Sequence, residues 1–161
     1  MARAKSRKGA AMVEAALLLP VLMLLILNMA NFGVYIFAWI TVNNAARAAA
    51  EYSAYNGIVL NSPSQPTFGQ VQNLVNTDTS SLPNFAAGAN PTLQICSSNS
   101  NCTGPCAAFA DPEPSLYTIN CADVEYSYTP IFNAFSIPSL GISLTLPPSV
   151  IGRQAAMRSM Q

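Results

Sequence analysis

Hydrophobic and polar positions divide this chain into three stretches. Residues 15–42, AALLLPVLMLLILNMANFGVYIFAWITV, run 28 positions without a charge, interrupted by only Asn28, Asn31 and Thr41 among strongly polar side chains. About 20 such residues at 1.5 Å each cross the roughly 30 Å of a bilayer's hydrocarbon, so the pattern predicts a transmembrane helix. The alanine-rich 43–55, NNAARAAAEYSAY, continues it with the best helix former up to a natural breaker at Gly57. A helix of about 46 residues, 11–56, follows, with a membrane part and a stalk. Beyond it the periodicity changes. Phe68, Val71, Leu74 and Val75 suggest a short amphipathic helix. Period-two alternation over 116–121, 124–129, 142–146 and 150–157, bounded by Pro, Gly and Asn, predicts short strands. The expected class is membrane-anchored α+β: a leader at 1–9, a transmembrane and stalk helix at 10–56, and a small irregular antiparallel β domain at 57–161 packed on the helix end.

Charge sharpens this division. Seven basic and seven acidic residues cancel over 161 positions, and only 9% of residues are charged. Arg3, Lys5, Arg7 and Lys8 nevertheless share the first eight positions, whereas residues 48–152 carry six acidic residues and no Lys or Arg. The positive-inside rule places the basic head in the cytoplasm and the rest outside it. Tyr35, Phe37 and Trp39 lie near the outer end, where aromatic rings favour the headgroup level. An anionic body offers no footprint for a phosphate backbone, so no nucleic acid is expected as partner. A cleaved secretory signal is the main rival reading, but the chain stays apolar for twelve residues beyond the Asn28-Met29-Ala30 that would have to be its cleavage site.

No histidine is present, which removes Ser/His and Cys/His dyads and His-ligated metals. No enzyme, metal or cofactor is expected. Cys96, Cys102, Cys106 and Cys121, an even count in a loop-rich segment outside the cytoplasm, favour two disulfides in any of three pairings. Their C-x5-C-x3-C-x14-C spacing fits no common zinc pattern. The acidic pairs Asp111/Glu113 and Asp123/Glu125 could serve calcium or glycoside chemistry, but without a supporting loop motif they read as solvated surface. Asn101-Cys102-Thr103 has the form of a glycosylation sequon.

The junction before the apolar run carries the most specific signal. Lys8-Gly9-Ala10-Ala11-Met12-Val13-Glu14 sets a glycine after the cationic head and a carboxylate five positions on. It resembles the processing site of type IV prepilins and pseudopilins, which implies cutting by a prepilin peptidase between Gly9 and Ala10. A new amino group on Ala10 could then pair with Glu14 of its own or a neighbouring chain, and pairing makes a carboxylate tolerable in an apolar setting. Pro20 removes a helix hydrogen bond and loosens its turn, and Asn28 and Asn31, three apart, share a helix face suited to packing. With Pro20, Asn31-Phe32-Gly33, Asn43-Asn44-Ala45-Ala46-Arg47-Ala48 and, more loosely, 124–130 and 155–158, the chain resembles TadE-like proteins, minor pseudopilins of the tight-adherence (Tad/Flp) pilus system. Relatives often carry an acidic residue where Asn31 stands.

The resemblance implies a structural subunit of a bacterial cytoplasmic (inner) membrane, single-pass with its N-terminus inside. It would assemble with other pilins or pseudopilins and an inner-membrane assembly platform for surface adherence. Glu14, Pro20, Asn28 and Asn31 would be its assembly residues, and the lipid bilayer its first solvent. The competing expectation is a membrane-anchored extracytoplasmic module that binds a ligand or cell-wall component through its cysteine-rich domain.

Overall fold

The computed structural model describes residues 4–54, 66–97, 117–132, 136–137, 142–143 and 147–160. Helix α1 spans Ala4–Ala54, starting earlier than the pattern predicts, inside the basic head. Helix α2 spans Phe68–Thr79. Strands β1 (Thr92–Ser97), β2 (Tyr117–Tyr128) and β5 (Ser149–Met160) form one antiparallel sheet in the order β1-β2-β5. Strands β3 (Ser136–Ile137) and β4 (Ile142–Ser143) pair separately. The chain forms two compact units, residues 1–35 with 130–147, and residues 36–129 with 148–161.

In the second unit the last part of α1 buries Ala38, Val42, Ala45, Ala46, Ala49 and Ala50 completely. Their three- and four-residue spacing places them on one helix face. Alanine therefore serves two purposes in the stretch read as a stalk: it favours the helix, and its small side chain lets other elements approach closely. Opposite pairs in a sheet share a face, so the register sets Leu93, Val124 and Arg153 together, and Tyr126 with Ile151. That face meets α1. Arg153 lies over the Trp39 ring, 4.2 Å from its centroid, and the Asn120 amide donates to the Ser53 carbonyl at 3.2 Å. Ala122, Val124, Tyr126, Tyr128 and Ile151 complete the apolar layer.

Two sequence expectations are corrected. The strands expected at 116–121 and 124–129 are one unbroken strand, β2, because Ala122 and Asp123 pair with Ala155 and Gln154 on one side and Ile95 and Gln94 on the other. Strand β1 was not anticipated. Its Leu93 is buried, but a short run between Pro91 and a serine-rich segment offers too little alternation to stand out. The amphipathic helix at Phe68 is present as α2, although its buried stripe is Val71, Val75 and Thr79 and Phe68 is exposed. The Thr79 hydroxyl donates to the Val75 carbonyl at 2.6 Å, which makes a threonine acceptable in that stripe.

The connection from α2 to β1 is held against β2. The Asn90 amide donates to the carbonyls of Asn84 (3.0 Å) and Ser127 (3.1 Å), and its carbonyl accepts from the Ser127 N–H at 2.9 Å. The Tyr126 hydroxyl donates to the Pro83 carbonyl. Gly88 has φ +77, a left-handed conformation that side-chain-bearing residues avoid. Cys96 and Cys121 are register partners across β1 and β2. Cys102, Cys106, Asp111, Glu113 and the Asn101 sequon lie outside the described residues.

Candidate functional site

The residues singled out in sequence fall along α1. From Gly9 to Ala54 this helix is long and apolar enough to cross a membrane, and none of its most apolar window is buried. Leu17, Leu18, Leu19, Val21, Leu22, Met23, Leu25 and Ile26 all stand more than half exposed, on every side of the helix. Such an all-round apolar surface requires lipid or other helices as its surroundings. By length and composition α1 suits a membrane anchor.

Gly9, Ala10 and Glu14 are all exposed at the start of this surface. An added Cβ at Gly9 would meet nothing within 4 Å, so packing does not demand a glycine there, although glycine inside a helix costs about 0.5–1 kcal/mol relative to alanine. Pro20 stands within α1, where it cannot donate to the carbonyl four residues back. Asn28 turns its amide onto its own helix, donating to the Leu24 carbonyl at 2.9 Å.

Asn31 does something different. It is 2% exposed, and its side chain grips one residue of the second chain segment in its unit. Its amide donates to the Phe132 carbonyl and its carbonyl accepts from the Phe132 N–H, both at 3.2 Å. Around it, Leu24, Leu27, Asn28, Val34 and Tyr35 are partly shielded, at helical spacing, whereas the rest of this part of α1 faces outward. Asn28 and Asn31 thus share a face, as their spacing predicts, but they make contacts of different kinds. Sequence alone does not reveal the Phe132 contact, because the partners are 101 residues apart.

Residues 9–51 match the family model for TadE-like proteins. The matched segment covers about a quarter of the chain, from Gly9 through Glu14, Pro20, Asn28 and Asn31 to the alanine face. It agrees with the TadE-like resemblance read in the same residues and associates this part of the chain with a pilus-system family. The stretches 124–130 and 155–158, which resemble the family loosely, lie outside the matched residues. No curated protein and no solved structure matches the chain.

Away from the TadE-like segment, the sheet corrects one further expectation. Asp123 and Glu125 share a face of β2, yet only Glu125 is solvated: Asp123 is 3% exposed, with Gln94 and Gln154 as its register partners. Burial, and secondarily the negative charge of Glu125, raise the Asp123 pKa above its ordinary 3.8. Burial likewise raises Tyr128, and raises Tyr126 with a smaller contribution from Tyr128. A carboxyl whose pKa is raised on folding keeps its proton longer in the folded state, so stability falls as pH rises from about 3.8 through the folded value. Asp123→Asn removes the buried charge and keeps the shape. This variant is expected to melt above the unmodified protein at neutral pH, with the gap closing below pH 3.8. Melting curves of both proteins across that range check it; a gap independent of pH refutes the assignment.

Among the described residues, no group of three or more His, Cys, Asp or Glu side chains converges on a common point.

Proposed function

We propose that this chain is a TadE-like pseudopilin of a Tad pilus system, inserted in the cytoplasmic (inner) membrane with its basic head inside and cut by a prepilin peptidase after Gly9. The observation that carries the reading is the family match, which starts at residue 9 and contains Glu14 five positions later. The exposure of Gly9, Ala10 and Glu14 supports it, since a peptidase and neighbouring subunits need access to them. So does the apolar surface of α1, which first requires lipid and could later be covered by pilin helices during assembly.

In this reading the leader and the glutamate act in sequence. While attached, the four leader cations hold the N-terminus on the cytoplasmic side. Their removal leaves the Ala10 amino group near Glu14, so a subunit entering an assembly brings a carboxylate and an ammonium into a low-dielectric setting. An unpaired charge there is costly and a paired one tolerable, which favours the register that joins them. The extracytoplasmic unit, in which Cys121 is disulfide-bonded, would cap or decorate the assembly. Closing loops of this size adds about 2–4 kcal/mol per bridge, a large contribution for a three-stranded sheet.

Intact-mass measurement on protein extracted from membranes tests the processing step, and a chain beginning at Ala10 is expected. A chain that retains Met1, or one that begins near Ala30, overturns it. Glu14→Ala is expected to insert and be cut normally yet fail to enter filaments, measured by its recovery in a sheared pilus fraction. Normal recovery would favour the ligand-binding module instead.

A further inference from the structure

We propose that the segment at Ile131 and Phe132 is a second membrane contact: Asn31 holds it to α1 within the outer leaflet, and it presents both side chains to lipid acyl chains. The inference rests on the reading of α1 as a membrane span with its N-terminus inside, and adds to it a part of the extracytoplasmic chain that returns to the bilayer.

The first argument is position. Asn31, which holds Phe132, lies inside the charge-free run, one helical turn before Tyr35. Whatever Asn31 grips is therefore at the depth of the apolar helix rather than beyond it. The second is the chemistry of the grip. Hydrocarbon contains no water to satisfy a peptide group, so backbone at that depth must find its partners within the protein. Asn31 supplies both for Phe132, accepting from its N–H and donating to its carbonyl.

The third argument is surface. With its backbone groups closed off, Phe132 remains 46% exposed and Ile131 54% exposed, much like Ile26 on the span at 53%. The segment thus adds large apolar surface at the depth of the span. From residue 126 to 152 the sequence contains no Asp, Glu, Lys or Arg, so no formal side-chain charge opposes entry into lipid. Two adjacent large apolar residues left exposed at that depth are what a lipid-facing segment presents.

The test uses the full chain reconstituted in phosphatidylcholine vesicles, some containing brominated acyl chains that quench tryptophan on contact. In a Trp39→Phe background, Phe132→Trp supplies a single reporter. Its emission is expected to be blue-shifted and quenched by the brominated lipid. Glu51→Trp in the same background, at an exposed position on α1 well past the charge-free run, is expected to escape quenching. Adding Asn31→Ala should release the segment and remove the Phe132→Trp quenching while helix content is retained. Protein that floats with the vesicles but shows no quenching at position 132 overturns the inference and leaves the anchor intact. A reporter shielded from both aqueous iodide and brominated lipid also overturns it, because protein would then cover the segment. Protein that fails to float overturns the anchor and this inference together.

Discussion

Tyr126→Ala is expected to destabilise the second unit by about 3–5 kcal/mol, the usual cost of removing a large buried aromatic side chain. Tyr126 is 0% exposed, shares the α1-facing side of the sheet with Val124 and Tyr128, and lies opposite Ile151. Its hydroxyl also satisfies the Pro83 carbonyl, which ties the loop after α2 to the middle strand. Truncation would open a cavity on the α1-facing side of the middle strand and leave that carbonyl without its donor. Small domains are stable by roughly 5–15 kcal/mol in total, so this one change removes a large share. Trp39 emission follows the unit directly, because Arg153 stacks on its ring. Denaturant titration read at that signal should show the midpoint falling far for Tyr126→Ala. For Tyr126→Phe, which loses only the hydrogen bond, about 1 kcal/mol is expected. Equal losses for the two variants would mean that the ring fills no core.

Gly9→Leu is expected to abolish processing and, with it, filament entry, without harming the fold. Space around Gly9 is open, and leucine favours a helix over glycine by roughly 0.8–1 kcal/mol, so α1 should form at least as well. What changes is the site a prepilin peptidase would read. The uncut variant keeps Arg3, Lys5, Arg7 and Lys8 and a formal side-chain charge of zero. The cut protein has three basic and seven acidic side chains left, a net of −4. Isoelectric focusing and intact mass distinguish the two forms. A Gly9→Leu protein that is still shortened by nine residues would show that cleavage does not depend on the glycine.

The helix and the α+β class were legible because each depends on local sequence. Leucine density, alanine content and the step from cations to an uncharged run are all carried by neighbours in the chain. The strands were half legible. Alternation located β2 and β5, but it read 116–121 and 124–129 as two strands where pairing on both sides continues the ladder. Asp123 was misjudged for burial, since its environment comes from β1 and β5 rather than from Pro, Gly or charge nearby in sequence. Asn31 is the clearest case. Its polarity inside an apolar run marked it as significant, whereas its partner at Phe132 belongs to a contact that no local pattern encodes.

That contact also orders events in time. Residues joined across 101 positions cannot meet until both have been synthesised, and a chain is made from its N-terminus. Helix α1 can therefore form before Asn31 reaches Phe132, and the long separation makes that contact a late and entropically expensive step. Between the two moments the Asn31 side chain lacks its Phe132 contact, and a neighbouring helix could bind it instead. The newly made chain would then be more receptive to other helices than the folded one, and the time taken to bring Phe132 to Asn31 would decide how long that interval lasts.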